Sequence, residues 1–168
     1  MDKNMSEKKR IKFDIGKIYL SNNIIVSDPC YHSDLWCTKR LTISGGEYNC
    51  YMTIKDCGAW GKRIANVVIK KVGYSNVSPK KLVGCVGVDS GQCGIYDLDY
   101  FISKDNDKDW NNVNSWYRGV CDETLAGDFY WDDKCIVTSS GYGDGGYDVY
   151  VGKNDFDEIV VVKIDYNV

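Results

Sequence analysis

Proline and histidine are nearly missing from this chain of 168 residues, which has two of the first and one of the second. A single histidine means that any mechanism needing a histidine base, or two histidine metal ligands, must use His32 or fail. No Cys-x-x-Cys pair occurs among the eight cysteines, at 30, 37, 50, 57, 85, 93, 121 and 135, which argues against a zinc knuckle or ribbon. No run approaches the ~18 apolar residues of a membrane span. Residues 1–10 are polar throughout and carry no apolar core for a signal peptide. Nor is there an excess of positive charge. The net charge of −3 argues against general affinity for duplex DNA, though not against a small anion held by a few local bases. These absences predict a cytoplasmic protein that avoids membranes, with a flexible polar segment at 1–10 and one domain over 11–168. In that compartment the cysteines are expected to be reduced thiols, packed as small apolar groups rather than joined in a disulfide framework.

What is present points to sheet. Thirteen tyrosines accompany many valines and isoleucines, and these residue types favour strands. In 47–55, Tyr48, Cys50, Met52 and Ile54 share one face while Asn49, Tyr51 and Thr53 share the other. Residues 64–72, 147–151 and 159–166 show similar strand character. Further strands are predicted at 17–20, 23–26, 40–43, 82–88, 94–98, 128–131 and 135–138. Turn signals such as Ser21-Asn22, Ser44-Gly45-Gly46 and Asp132-Asp133 separate them. About ten short strands at this spacing predict a mainly β fold, an antiparallel sandwich or partly open barrel. One stretch departs from period two: in 109–126, Trp110, Val113, Trp116, Tyr117, Val120, Cys121 and Leu125 follow helical spacing. One helix is expected there, capped by Asn111 or Asn112 and ended by Gly127.

Three glycine- or proline-marked islands stand out: Asp28-Pro29-Cys30-Tyr31-His32, Gly87-Val88-Asp89-Ser90-Gly91-Gln92, and Ser139 through Tyr147 with its four glycines. Such glycine density serves either tight hairpins or the wall of a site where backbone must approach a ligand. Gly141-x-Gly143-x-x-Gly146 matches a dinucleotide fingerprint in letters only, because the following Tyr147–Val151 reads as strand where the mechanism needs a helix. Asp105-Asn106-Asp107 opens like a calcium loop, but Trp110 and Trp116 occupy the places of its glycine and glutamate. Cys30 and His32 could form a thiolate–imidazole pair, or simply pack and face solvent in a turn. Asp28, Asp89 and Asp144 could converge on a magnesium or manganese ion and support phosphoester hydrolysis. Alternatively, each accepts backbone hydrogen bonds in its own turn. Trp60 with Lys62 and Arg63, and Trp36 with Lys39 and Arg40, place rings beside cations, as nucleotide capture or a protein interface would need.

The phrases Val26–Tyr31, Gly87–Gly91, Trp116-Tyr117…Cys121…Thr124 and Ser139–Tyr147, with the closing 159–166, resemble an uncharacterised family of bacterial and phage proteins. The resemblance covers the chain from about residue 23 onward. It implies motif positions at Asp28, Asp89, Ser90, Ser139 and Asp144 without roles. A phage setting implies a small counter-defence protein, for example one that sequesters a host signalling nucleotide. The sequence thus predicts a cofactor-free pocket for a small, anionic, nucleotide-like ligand. Asp89, Ser90, Gln92, Ser139, Ser140 and Asp144 would supply hydrogen bonds, Tyr142 or Trp60 a stacking face, and Lys62, Arg63 or Arg118 the charge. The alternatives are a metal-dependent phosphoesterase using Asp28, Asp89 and Asp144, and an inhibitor acting through an aromatic surface. A free sheet edge leaves homo-oligomerisation open.

Overall fold

The computed structural model describes residues 9–168 and is mainly β. Its strands are β1 (Arg10–Leu20), β2 (Asn23–Ser27), β3 (Lys39–Thr42), β4 (Gly46–Asp56), β5 (Lys62–Lys71) and β6 (Lys81–Val88). The rest are β7 (Gln92–Asp97), β8 (Phe129–Asp132), β9 (Cys135–Ser139), β10 (Gly145–Lys153) and β11 (Ile159–Asp165). Two helices, α1 (Leu98–Ser103) and α2 (Trp116–Gly127), lie between β7 and β8. One sheet has the order β1-β4-β5-β11-β10-β6 and the other β3-β2-β7-β9-β8, and every pairing is antiparallel.

Burial explains why the sheets stack. Tyr48, Cys50 and Met52 of β4 point inward as their alternation predicts, and meet Ile18, Val67, Ile69, Val149, Val162 and Ile164 of the same sheet. Ile24, Val26, Ile95 and Ile136 face them from the smaller sheet. That sheet is covered on its other face too. Ile25, Tyr96, Cys135 and Val137 pack there against Phe101 of α1 and Trp116 and Val120 of α2, with the Tyr96 and Phe101 ring centroids 4.4 Å apart. Each fully buried aliphatic or aromatic side chain of this kind contributes about 1.5–3 kcal/mol. With both faces covered, all six residues of β7 are buried. The cysteines are all free thiols, and no described helix is long and apolar enough to cross a membrane.

Three expectations need correction. The polar segment 1–10 is cut short: Arg10 already opens β1, pairing with Lys55 of β4, while residues 1–8 lie outside the described residues. The basic run hid an alternation, Ile11-x-Phe13-x-Ile15, that belongs to the strand. The helix expected at 109–126 begins at Trp116 and is capped by Ser115, whose Oγ accepts from the Arg118 amide at 3.1 Å. Asp109 and Asn112 bond the amides of Asn111 and Asn114 in local turns, which compete with helix. Helix α1 was not expected; Asp97 stops β7 and caps it, accepting from the Tyr100 amide at 3.4 Å.

Candidate functional site

The three islands meet at one end of the sandwich, and buried aspartate chemistry joins them. Asp28 follows β2 and is fully buried. Its Oδ1 accepts from the Cys30 amide at 2.8 Å and the Ser90 hydroxyl at 2.6 Å. Its Oδ2 accepts from the amides of Asp89 at 2.8 Å and Ser90 at 2.7 Å. Asp144, from the glycine-rich loop before β10, accepts from the Gly91 amide at 2.8 Å, and the Ser140 amide donates back to the Gly91 carbonyl at 3.0 Å. Gly91 adopts φ +68°, a conformation that favours glycine, so the turn can aim three consecutive amides at these two carboxylates. Successive amides of this kind form an anion-binding concavity. Here the protein's own aspartates fill it.

Two clefts flank this turn. One, about 400 Å³, lies between the turn and α2 and is lined by Asp89, Ser90, Gly91, Gln92 and Ser139, with Trp110, Tyr117, Cys121, Thr124 and Leu125 opposite. Its floor is a closed network. Gln92 donates to Ser90 Oγ at 3.2 Å and Cys121 Sγ at 3.3 Å, and accepts from the Thr124 hydroxyl at 2.6 Å. Trp110 and Tyr117 form the aromatic wall, their ring centroids 6.2 Å apart. Arg118 sits at the rim, 4.5 Å from the Trp110 centroid, donating to the Trp110 carbonyl and to Asp122. The second cleft, about 570 Å³, is lined by Tyr31, Leu35, Trp36, Cys37, Gly87, Val88, Asp89, Asp144 and Gly145.

The residues expected to form one pocket therefore divide. Asp89, Ser90, Gln92 and Ser139 line the cleft beside α2. Ser140 does not: it is buried and donates to the Gly143 carbonyl, while Tyr147 fixes the same loop from below. Gly141 holds φ +57°, and a Cβ there would fall 2.8 Å from Val168, so this loop also seals the C-terminal end of the core. Tyr142 is stacked with Arg63, 5.4 Å from ring to guanidinium, and Arg63 donates to the Trp60 carbonyl at 3.0 Å. Trp60, Arg63 and Tyr142 thus form a separate exposed patch, and Lys62 lines another cavity with Ile11, Phe13 and Asp56. None of these four residues lines either cleft at the turn.

The carboxylates Asp28, Asp89 and Asp144 do gather from separate loops, but two of them hold backbone. A metal at Asp28 would have to displace the four donors that hold the turn. Among the described residues, no group of three His, Cys, Asp or Glu side chains is arranged to hold an ion. The Cys30–His32 pair is not assembled either. Both ring nitrogens of His32 face carboxylates, Nδ1 that of Asp34 and Nε2 that of Asp105 at 3.3 Å. Burial and then Asp28 push the Cys30 thiol well up, which removes thiolate character.

Sequence reasoning read 109–126 only as one helix and did not name Trp110, Tyr117, Cys121, Thr124 or Leu125 as site residues. The available signal was Thr124, a hydroxyl seven residues after Tyr117 on the same side of the helix. No protein-family model, curated protein or solved structure matches this chain, so its function is read from its own geometry.

Proposed function

We propose that this is a small-ligand-binding protein that holds a planar, nucleotide-like molecule in the cleft between the 88–92 turn and α2. The observation that carries the reading is the cleft itself. Its volume of about 400 Å³ lies within the usual range for small-molecule sites. Its floor is preorganised by the Asp28–Ser90–Gln92–Thr124 network, and its wall is aromatic. A ring would lie against Tyr117 and the open side of Trp110, and hydroxyl or amino groups would donate to Asp89.

The anionic part of the ligand needs a different anchor from the one the glycines suggested. The amides of Asp89, Ser90 and Gly91 are engaged by Asp28 and Asp144, and among the described residues no lysine, arginine or histidine lines the cleft. Arg118 at the rim keeps N–H groups beyond those given to Asp122 and Trp110, and would meet a phosphate there. Sequestration of a host signalling nucleotide by a phage protein in the host cytoplasm is the setting that the resemblance of the glycine–aspartate phrases supports.

The test is to incubate purified protein with a panel of mono-, di- and cyclic nucleotides, remove the protein by filtration, and heat the retained fraction. Depletion of one nucleotide with intact release establishes capture. Release of an altered product establishes turnover instead, and no depletion by the wild type overturns the reading.

A further inference from the structure

We infer that the second cleft, on the Trp36 side of the turn, is a binding site for an organic cation, a guanidinium or alkylammonium group. Two observations on that cleft converge. Among the described residues its lining contains Asp89 and Asp144 and no lysine, arginine or histidine. Asp144 engages only Oδ1, and the Asp89 carboxylate meets the Tyr31 hydroxyl, so carboxylate oxygens remain for a ligand.

Trp36 supplies the second observation. It is 92% exposed, far more than packing explains. Other rings of this protein carry a cation of their own: Arg118 over Trp110 at 4.5 Å, Lys108 over Phe101 at 3.9 Å, Arg63 over Tyr142 at 5.4 Å. Among the described residues no cation lies over Trp36 or Tyr31. An indole face beside carboxylates is the arrangement that attracts a ligand cation.

Tyr31 also lines the cleft, and its hydroxyl meets the Asp89 carboxylate. The floor beneath is Gly87, where an added Cβ would lie 3.2 Å from Cys37 and 3.8 Å from the Tyr31 hydroxyl. Glycine keeps the floor open. The wall is also held in place: the Gly87 amide donates to the Cys37 carbonyl at 3.0 Å, and Asp105 accepts from the Ser33 amide at 2.9 Å.

The experiment is calorimetric titration of the full chain with agmatine, with spermidine, and with a short peptide bearing one arginine between glycines. Binding should weaken as salt rises. Trp36→Ala should reduce it roughly tenfold, since cation–π contacts of this kind are lost with the ring, and Asp89→Asn should reduce it as much or more. Trp36→Ala removes no hydrogen bond of the fold, and in Asp89→Asn the amide oxygen can still accept from Tyr31, so melting temperature should hold and a loss of binding would not reflect unfolding. Asp89 borders both clefts, so Trp36→Ala is the variant that assigns the site. It should leave nucleotide capture untouched. Tighter binding of the peptide than of agmatine places the cation on a protein partner, and equal or weaker binding places it on a small molecule. Failure of all three probes to bind at millimolar concentration, or binding that Trp36→Ala leaves unchanged, overturns the inference.

Discussion

The clefts on either side of the Asp89 turn share a wall and differ in how their polar groups are matched. Beside α2, Gln92, Thr124, Ser90 and Cys121 satisfy one another, and Trp110 already holds Arg118. Beside Trp36, two carboxylates and a bare indole have no counter-cation among the described residues. The first is organised before any ligand arrives, which suits a close-fitting planar molecule. The second is organised in position but unbalanced in charge, which suits a cation. Both depend on one buried carboxylate, because Asp28 fixes the turn that divides them.

The largest expected effect therefore follows from Asp28. Replacing it with alanine leaves the part-buried amides of Cys30, Asp89 and Ser90 without their partner. Each unsatisfied donor costs about 1–3 kcal/mol, so Asp28→Ala should lower stability by roughly 3 kcal/mol or more in urea unfolding. Asp28→Asn keeps the volume but brings an NH₂ group toward these donors, and should still cost at least about 2 kcal/mol. Both clefts should fail together. A stable Asp28→Ala variant that still captured a ligand at either cleft would show that the turn is held by something else.

A second effect separates the clefts. The wall that carries Trp36 is tied down by Asp105, which accepts from the Ser33 hydroxyl at 2.5 Å and its amide at 2.9 Å, beside His32 and Lys108. Burial works against the Asp105 charge, but the Ser33 hydrogen bonds, with His32 and Lys108, outweigh it and hold the carboxyl below its ordinary value. A carboxyl depressed in the folded state adds stability that is complete above its unfolded pKa and is lost as pH falls through the folded one. The loss thus begins near the ordinary aspartate value of about 3.9 and deepens below it. Lys108 runs the other way: burial lowers its pKa, with Asp105 opposing, so its contribution improves as pH rises from the folded toward the unfolded lysine value. Asp105→Asn at neutral pH mimics the protonated state. It should cost about 1–2 kcal/mol and weaken cation binding at the Trp36 cleft, while nucleotide capture beside α2 persists. Equal loss at both clefts would show that this anchor is not local.

The fold was more legible than the site, for a physical reason. Alternation such as Tyr48-x-Cys50-x-Met52 is set by which face of a strand is buried, so it is written in the local sequence. The doubly covered β7 (Gln92–Asp97) was expected at 94–98. The site was half-visible: Asp28, Asp89 and Asp144 announced themselves by their glycine and proline neighbours and do gather. Whether a carboxylate faces a ligand or a neighbouring loop's amides depends on contacts across 61 and 62 positions of chain for Asp28, and no local pattern encodes that. Trp60, Arg63 and Tyr142 show the opposite error. The sequence paired the Trp60 ring with Lys62 and Arg63, whereas Arg63 lies over the Tyr142 ring and meets Trp60 at its carbonyl.

A third effect concerns the α2 wall alone. Tyr117→Ala removes half of the aromatic surface there, with its hydroxyl contact to Ser90, but leaves the hydrogen bonds of Asp28 in place. Stacking on a base is worth about 1–3 kcal/mol by alanine substitution, so capture should weaken roughly tenfold or more, with stability changed by less. Cation binding beside Trp36 should not move. If capture survives Tyr117→Ala, the ligand does not lie against this wall.

The smallest effect sharpens the contrast most. Arg118 is an exposed-rim cation paired with Asp122 at 3.1 Å on the first turn of α2. Such surface pairs contribute about 0–1 kcal/mol, so Arg118→Gln should leave unfolding almost unchanged. Two binding consequences should follow nonetheless. A phosphate-bearing ligand should lose several-fold in affinity and much of its salt dependence, because Arg118 is the cation nearest the cleft wall. The face of Trp110 that Arg118 covered would then be bare, beside Asp122 and near Asp89, much as Trp36 stands beside Asp89 and Asp144. Agmatine should therefore gain a second, weaker binding event in Arg118→Gln that the wild type lacks, and Trp36→Ala should not abolish it. If no such event is seen, a bare indole near carboxylates is not sufficient in this protein, and the Asp144 carboxylate, which lines the Trp36 cleft and not the other, becomes the feature that distinguishes the two clefts.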